Sequence, residues 1–237
     1  EAHGSDDLFE HILKFYKRSH TVFSSFCNDA EGNPKSDTGG VLMLVKKMEG
    51  VEVRPKELVP GRILEVAMEL DSGRTLSVCG VHNHGISHPG LANFESYIKV
   101  QTDKSHSSPE NFAFVMAGDL NLMAKGDKPI LLKSLLSPWE GASPLSSSAP
   151  GTNNVREGGV WNRIINSLVE IQTPMPNHVC AGELTVNKIN RIFCAFPRSA
   201  LAITTNHCGC IRDPVWWYSK RLSDHSPIFW RIAMPSS

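Results

Sequence analysis

The stretch FVMAGDLNLMA, residues 114–124, decides how this chain is read. An apolar run over 112–117 has the length of a short buried strand and stops at Gly118-Asp119. Asp119 and Asn121 then emerge two residues apart, and strand spacing puts both side chains on one side. An anionic acceptor beside an amide at a strand end can hold and activate a water next to a phosphate. The same pair also suits an Asx-turn that only closes the strand. Both readings stay open at this point.

Two more segments have the same build, a polar group at the end of an apolar strand. In LSDHSPIFWRI, residues 222–232, Ser223, Asp224 and His225 precede an apolar run. Asp224 suits a hard cation and His225 suits a phosphoryl oxygen, whereas a capped loop with a surface histidine needs neither role. In SVCGVHNHG, residues 77–85, Leu76, Val78 and Gly80 share a strand face with His82. A satisfied core histidine and a metal site with His84 and His88 are the alternatives there, and spacing does not choose between them.

Working outward, Leu8, Phe9, Ile12, Leu13 and Tyr16 recur at helical spacing behind Ser5, so 5–18 reads as an amphipathic helix. Residues 21–27 and 41–45 read as strands around a loop at 30–38. The alternation over 62–70, a turn at 71–73 and a run over 75–81 form the clearest hairpin. Residues 90–100 read as helix, and 137–159, rich in Ser, Pro and Gly, as a long mobile surface loop. Residues 161–171 read as a second amphipathic helix, and 188–193 and 228–232 as the last two strands. His207, Cys208 and Cys210 invite a zinc reading, but no second ligand pair stands at a usual spacing, so they read as thiols near a loop. Trp216, Trp217 and Tyr218 beside Lys220 and Arg221 suit either partly buried packing or a loop that contacts a nucleic-acid strand.

Composition bounds these readings. The 237 residues suit one large domain with a substantial core. Twenty-four basic and 24 acidic residues give zero net charge, which argues against a protein that coats nucleic acid and leaves a local patch with a metal as the means of contact. No apolar run reaches the length of a membrane span, and the polar, acidic start does not resemble a signal peptide. Six unevenly spaced cysteines do not form a secreted disulfide framework. These features lead us to expect an intracellular protein, nuclear or cytoplasmic, with no membrane partner and no obligate protein partner.

In order along the chain stand Glu1, GRILEV (61–66), a strand ending in His82, GDLN (118–121), NKINRIF (187–193) and SDHSP (223–227). That order resembles the endonuclease/exonuclease/phosphatase superfamily over essentially the whole chain. Within it, GGVLMLVKK (39–47), NKINRIF and SDHSPI look most like the apurinic-type endonuclease domain of LINE-type (non-LTR) retrotransposons. The resemblance implies an α+β fold, a four-layer αββα sandwich of two β-sheets packed face to face with helices on both outer faces. Residues 1–237 would form one such domain, N-terminally truncated and without the first strand. It implies Mg²⁺ (or Mn²⁺) held by Glu1 with Asp224 nearby. Asp119 and Asn121 would orient or deprotonate water, His225 would stabilise charge on the scissile phosphate, and His82 would contact phosphate. Arg62, Trp216, Trp217, Lys220 and Arg221 are the candidates for substrate contact.

Two departures stand out. The early strand carrying an Asn is not in this sequence, and Asn190 stands where the superfamily pairs an aspartate with the SDH histidine. An amide stabilises an imidazolium less than a carboxylate does and can leave the ring in the wrong tautomer; in a serine protease the analogous change costs roughly 10⁴ in rate. Three functions follow from the resemblance: a Mg²⁺-dependent endonuclease that nicks one DNA strand to prime reverse transcription, a sister RNA deadenylase or small-molecule phosphatase, and a catalytically decayed domain that still binds nucleic acid.

Overall fold

The structure is a computed structural model that describes residues 6–27, 39–70, 73–121, 130–131, 155–173, 175–180, 185–196, 205–221, 223 and 225–233. Glu1, Asp224, the expected 30–38 loop and most of the 137–159 segment lie outside the described residues. Helix α1 (Asp6–Tyr16) leads into strands β1 (His20–Phe26), β2 (Gly40–Lys46), β3 (Glu52–Val59), β4 (Ile63–Glu69) and β5 (Thr75–His82). Helix α2 (His88–Ser107) and β6 (Phe112–Asp119) follow, then β7 (Ile130–Leu131), helix α3 (Val155–Asn166), β8 (Val169–Ile171), β9 (His178–Cys180), β10 (Thr185–Asn187) and β11 (Asn190–Cys194). Strand β12 (Thr205–Cys210), helix α4 (Pro214–Ser219) and β13 (Ile228–Ala233) complete the described elements.

The expected hairpin nucleates the largest sheet. β4 pairs antiparallel with β5 from Ile63↔Val81 to Glu69↔Thr75, and β5 pairs in parallel with β6 through the α2 crossover. The six-stranded sheet runs β3-β4-β5-β6-β11-β8. On one face, Leu91, Phe94 and Ile98 of α2 and Val160, Trp161 and Ile164 of α3 pack onto Ile63, Val81, Phe114, Met116 and Phe193. On the other face the β1–β2 pair sits over β4 and β5, burying Val45, Val66 and Met68 between the layers, and β13 of the β12–β13 pair packs on β11. Gly80 permits the close approach of β2, because a Cβ there would lie 2.7 Å from the Val41 side chain. Helix α1 packs against β1, with Phe9 edge-on to Phe26 at 6.2 Å. The result is the layered sandwich with flanking helices that the sequence motifs implied.

Several boundaries differ from expectation. The second amphipathic helix was expected over 161–171 and the loop through 159, whereas α3 spans Val155–Asn166 and 169–171 form edge strand β8. Gly158 and Gly159 make the first turn look like loop, each costing about 1 kcal/mol against Ala in a helix. Tertiary packing overrides that cost: Trp161 meets Phe94 at 6.0 Å, and Arg163 forms a two-point ion pair with Glu95 at 2.6 and 3.0 Å. Helix α2 begins earlier and ends later than the expected 90–100; Ser87 caps its start by accepting from Gly90 N–H at 3.3 Å.

Strand β3 had no apolar alternation to betray it, being mostly exposed and carrying Pro55. A proline is tolerated there because, among the described residues, β3 is the edge strand and pairs only with β4. The 188–193 strand starts at Asn190 instead, after a break at Lys188-Ile189 that separates it from β10. It and the 228–232 run are not the last two strands, because β12 lies between them. His207, Cys208 and Cys210 sit on β12 itself.

Candidate active site

The motif residues meet where strands end. Asp119 closes β6, and pairs in register with His82 at the end of β5 and with Asn190 at the start of β11. A strand exit followed by a tight turn thus presents Asp119 beside two neighbouring backbones. His225 stands just before β13 and bridges to His178 at the start of β9. Its N–H donates to Ser223 Oγ at 2.9 Å, a local turn that orients the ring.

The His225 ring lies between two acceptors. Its Nδ1 is 3.2 Å from Asn190 Oδ1, and its Nε2 is 4.0 Å from Asp119 Oδ2. An amide oxygen only accepts, so Nδ1 carries the proton and the ring takes the tautomer that an aspartate would also select. The expected tautomer defect of Asn190 is therefore not what the geometry gives; what the amide lacks is charge. Asp119 is buried, and its Oδ1 accepts from Asn121 N–H at 2.9 Å. The Asx-turn is thus present, and the other oxygen of the same carboxylate faces the histidine.

Asn121 departs from the strand-spacing expectation. β6 ends at Asp119, and Asn121 takes a left-handed backbone with φ 47°. Asparagine tolerates that region well. The exposed side chain reaches sideways, its Nδ2 donating to Asn83 O at 3.1 Å.

His82 is buried, and its Nδ1 lies 2.9 Å from Arg62 Nη1. A guanidinium only donates, so His82 Nδ1 accepts and its Nε2 carries the proton. Arg62 thereby sets a histidine instead of reaching outward alone. His84 stacks on His82 at 6.1 Å, but among the described residues no group of three or more His, Cys, Asp or Glu side chains is placed to hold a metal. That applies equally to His88 and to His207, Cys208 and Cys210. The Cys208 thiol instead donates to Gln172 O.

A cavity of about 430 Å³ joins these groups, lined by Asp119, Asn190, Trp217, Ser223 and His225 among others. A second, of about 350 Å³, is lined by His82, Val41 and Met43 and shares Ala117, Gly118 and Asp119 with the first. Of the aromatic cluster, Trp217 reaches the cavity, while Trp216 lies under the Arg212 guanidinium at 4.5 Å. Lys220 and Arg221 are exposed at the end of α4. The structure therefore brings Asp119, Asn190, His225 and Trp217 together, with His82 and Arg62 alongside. Glu1 and Asp224, the metal candidates, lie outside the described residues.

Sequence reading missed Asn177, His178 and Asn187. Asn177 is fully buried, its Oδ1 accepting from Ile189 and Asn190 N–H and its Nδ2 donating to Asn190 O at 2.7 Å. The signal available was Asn177-His178 before a three-residue apolar run, Val179-Cys180-Ala181, a polar-then-apolar step like that of SDHSPI but too short to read as a strand.

No family model matches the chain, and no curated protein matches it. Among solved structures it is similar to the endonuclease/exonuclease/phosphatase from Bacteroides vulgatus, with a TM-score of 0.55 and 11% identity over 97% of this chain and 81% of that one. It is also similar to D. rerio TDP2 complexed with single strand DNA product, with a TM-score of 0.51 and 13% identity over 96% of this chain and 82% of that one. At such identities the likeness establishes the fold, which is that of the endonuclease/exonuclease/phosphatase sandwich.

Proposed function

We propose that this domain hydrolyses phosphodiester bonds in nucleic acid, nicking one DNA strand in the manner of a LINE-type endonuclease. The observation that carries this reading is the convergence of Asp119, Asn190 and His225, distant in sequence, on one cavity at the strand ends. Asp119 orients and deprotonates the attacking water, helped by the turn at Asn121. His225, held by Asn190 at Nδ1, turns Nε2 toward the charge that develops on phosphorus. His82, with its Nε2 proton set by Arg62, donates to a phosphate oxygen, and Trp217 offers a face on which a base stacks.

Asp119 supplies a carboxylate at this end of the sheet, the donor type that a hard Mg²⁺ or Mn²⁺ ion takes. On this reading Glu1 and Asp224 would hold such an ion, and it would supply positive charge against the negative charge that builds on the phosphate. The likeness to D. rerio TDP2 complexed with single strand DNA product supports nucleic acid as the substrate class. Among the described residues no helix is long and apolar enough to cross a membrane.

A supercoiled-plasmid assay with Mg²⁺ or EDTA tests the proposal. Nicking should require the metal, and Asp119→Ala or His225→Ala should each lower it by about 10²-fold or more. Wild-type rates in both variants would end this reading. Phosphate released from nucleotides or phosphoinositides, without nicking, would identify a sister phosphatase. The neutral amide of Asn190 favours one further reading, a decayed domain that binds DNA without cutting it, and retention of DNA binding with no nicking would select that.

A further inference from the structure

We propose that His178 is a positioning residue that sets the His225 imidazole; the inference rests on the hydrolytic role given to His225 above. The two rings lie 4.6 Å apart and are tilted by 57°. They are anchored alike. His178 Nδ1 is 2.9 Å from Asn187 Oδ1, as His225 Nδ1 is 3.2 Å from Asn190 Oδ1. Both amide oxygens only accept, so both rings carry the proton on Nδ1 and share one tautomer.

The two anchoring asparagines flank a single break in the chain. Asn187 ends β10, Asn190 begins β11, and Lys188-Ile189 lies between them. Asn177, next to His178, ties that break through three hydrogen bonds to Ile189 and Asn190, while its own carbonyl accepts from Ser226 N–H at 2.7 Å. His178 and His225 are also paired across an antiparallel bridge. One buried amide therefore fixes both sides of the ring pair. His178 does not line the 430 Å³ cavity, whereas His225 does. Its ring backs the face of His225 and restricts that ring's rotation, and small misplacements of a reacting group cost about 10²-fold.

The experiment combines kinetics with imidazole NMR. His178→Ala should lower kcat for nicking about tenfold with KM nearly unchanged, because it removes orientation and not substrate binding. His178→Phe, which keeps a ring face, should recover most of that loss. In a His225→Ala background His178→Ala should cost nothing further. Independently of activity, long-range ¹H–¹⁵N spectra should show the His225 ring resonances displaced and broadened in His178→Ala. Where that variant fails to fold, Asn187→Ala must produce the same displacement, since it frees the His178 ring. Unchanged His225 resonances, or an equal kinetic loss with and without His225, overturns the proposal. Absence of nicking by the wild-type protein would instead count against the hydrolytic reading, and the spectra would still decide the role of His178.

Discussion

Asn190 Oδ1 lies 3.2 Å from His225 Nδ1, at the place where the resembled superfamily carries a carboxylate. The amide selects the same tautomer, so the difference appears only when the ring becomes cationic. A hydrogen bond to a charged group contributes roughly 1.5–3 kcal/mol against about 1 for a neutral pair. Asn190→Asp should therefore accelerate nicking by about tenfold without disturbing the fold, since Asn177 holds the main chain of residue 190 and not its side chain. Rates measured on a plasmid substrate check this, and no gain would mean that His225 charge is not limiting. The placement of Asp119 and His225 at strand boundaries was legible here, because Asp119 closes one apolar run and His225 precedes another, a local pattern. The direction of Asn121 was not legible, because a left-handed residue after the strand depends on a turn that Asp119 itself makes. Nor was His178, whose partner His225 is brought to it only by the tertiary fold.

Strand β6 depends on one glycine to keep its place beside β5. Gly118 has φ +148°, and a Cβ there would lie 1.9 Å from the Val81 carbonyl oxygen. Gly118→Ala should cost more than about 3 kcal/mol and lower the urea midpoint sharply, since backbone cannot yield as a flexible side chain does. An unchanged midpoint would show that the strand exit relaxes freely. The neighbouring strands carry buried thiols. Burial pushes Cys194 of β11 up to about 11 and Cys79 of β5 well above the usual 9.0. Native thiols then stay protonated where unfolded ones ionise, so the unfolded state binds fewer protons and stability falls with rising pH. The loss should be small below pH 9.0 and grow toward about 11, reaching about 2 kcal/mol from Cys194 alone. Denaturant unfolding on both sides of that window tests it, with Cys194→Val removing its share of the slope. Elements with an alternating or an unbroken apolar pattern, β4, β5 and β6, were readable from sequence. β3 was hidden by its charged edge position, and the first turns of α3 by two glycines whose cost packing against α2 offsets.

Across the whole molecule, the two faces of the six-stranded sheet are covered unequally. On the helical face Phe114 and Met116 of β6 are fully buried. On the opposite face Val115 and Ala117 of the same central strand are only half-buried. β2 covers β4 and β5, and β13 covers β11, so the two cavities that meet at Ala117–Asp119 form a trough over β6. Each of β2 and β13 has strand pairing on one edge only among the described residues. A trough with a row of backbone donors and acceptors on both sides suits an extended segment, because only a strand satisfies both edges while burying apolar side chains beneath. Among the described residues no strand lies over β6 in this trough, which has room for one. We expect that adding a segment of about six residues with alternating Val and Thr, on a Gly-rich linker long enough to reach, raises Tm by about 5 °C or more. Burial of Val115 and Ala117 drives the gain, so Ala117→Lys should abolish it by placing a charge on the trough floor. Thermal unfolding of the four proteins, with and without the segment in each background, decides the matter: an equal Tm with and without the segment in the unsubstituted background would show that no strand seats over β6.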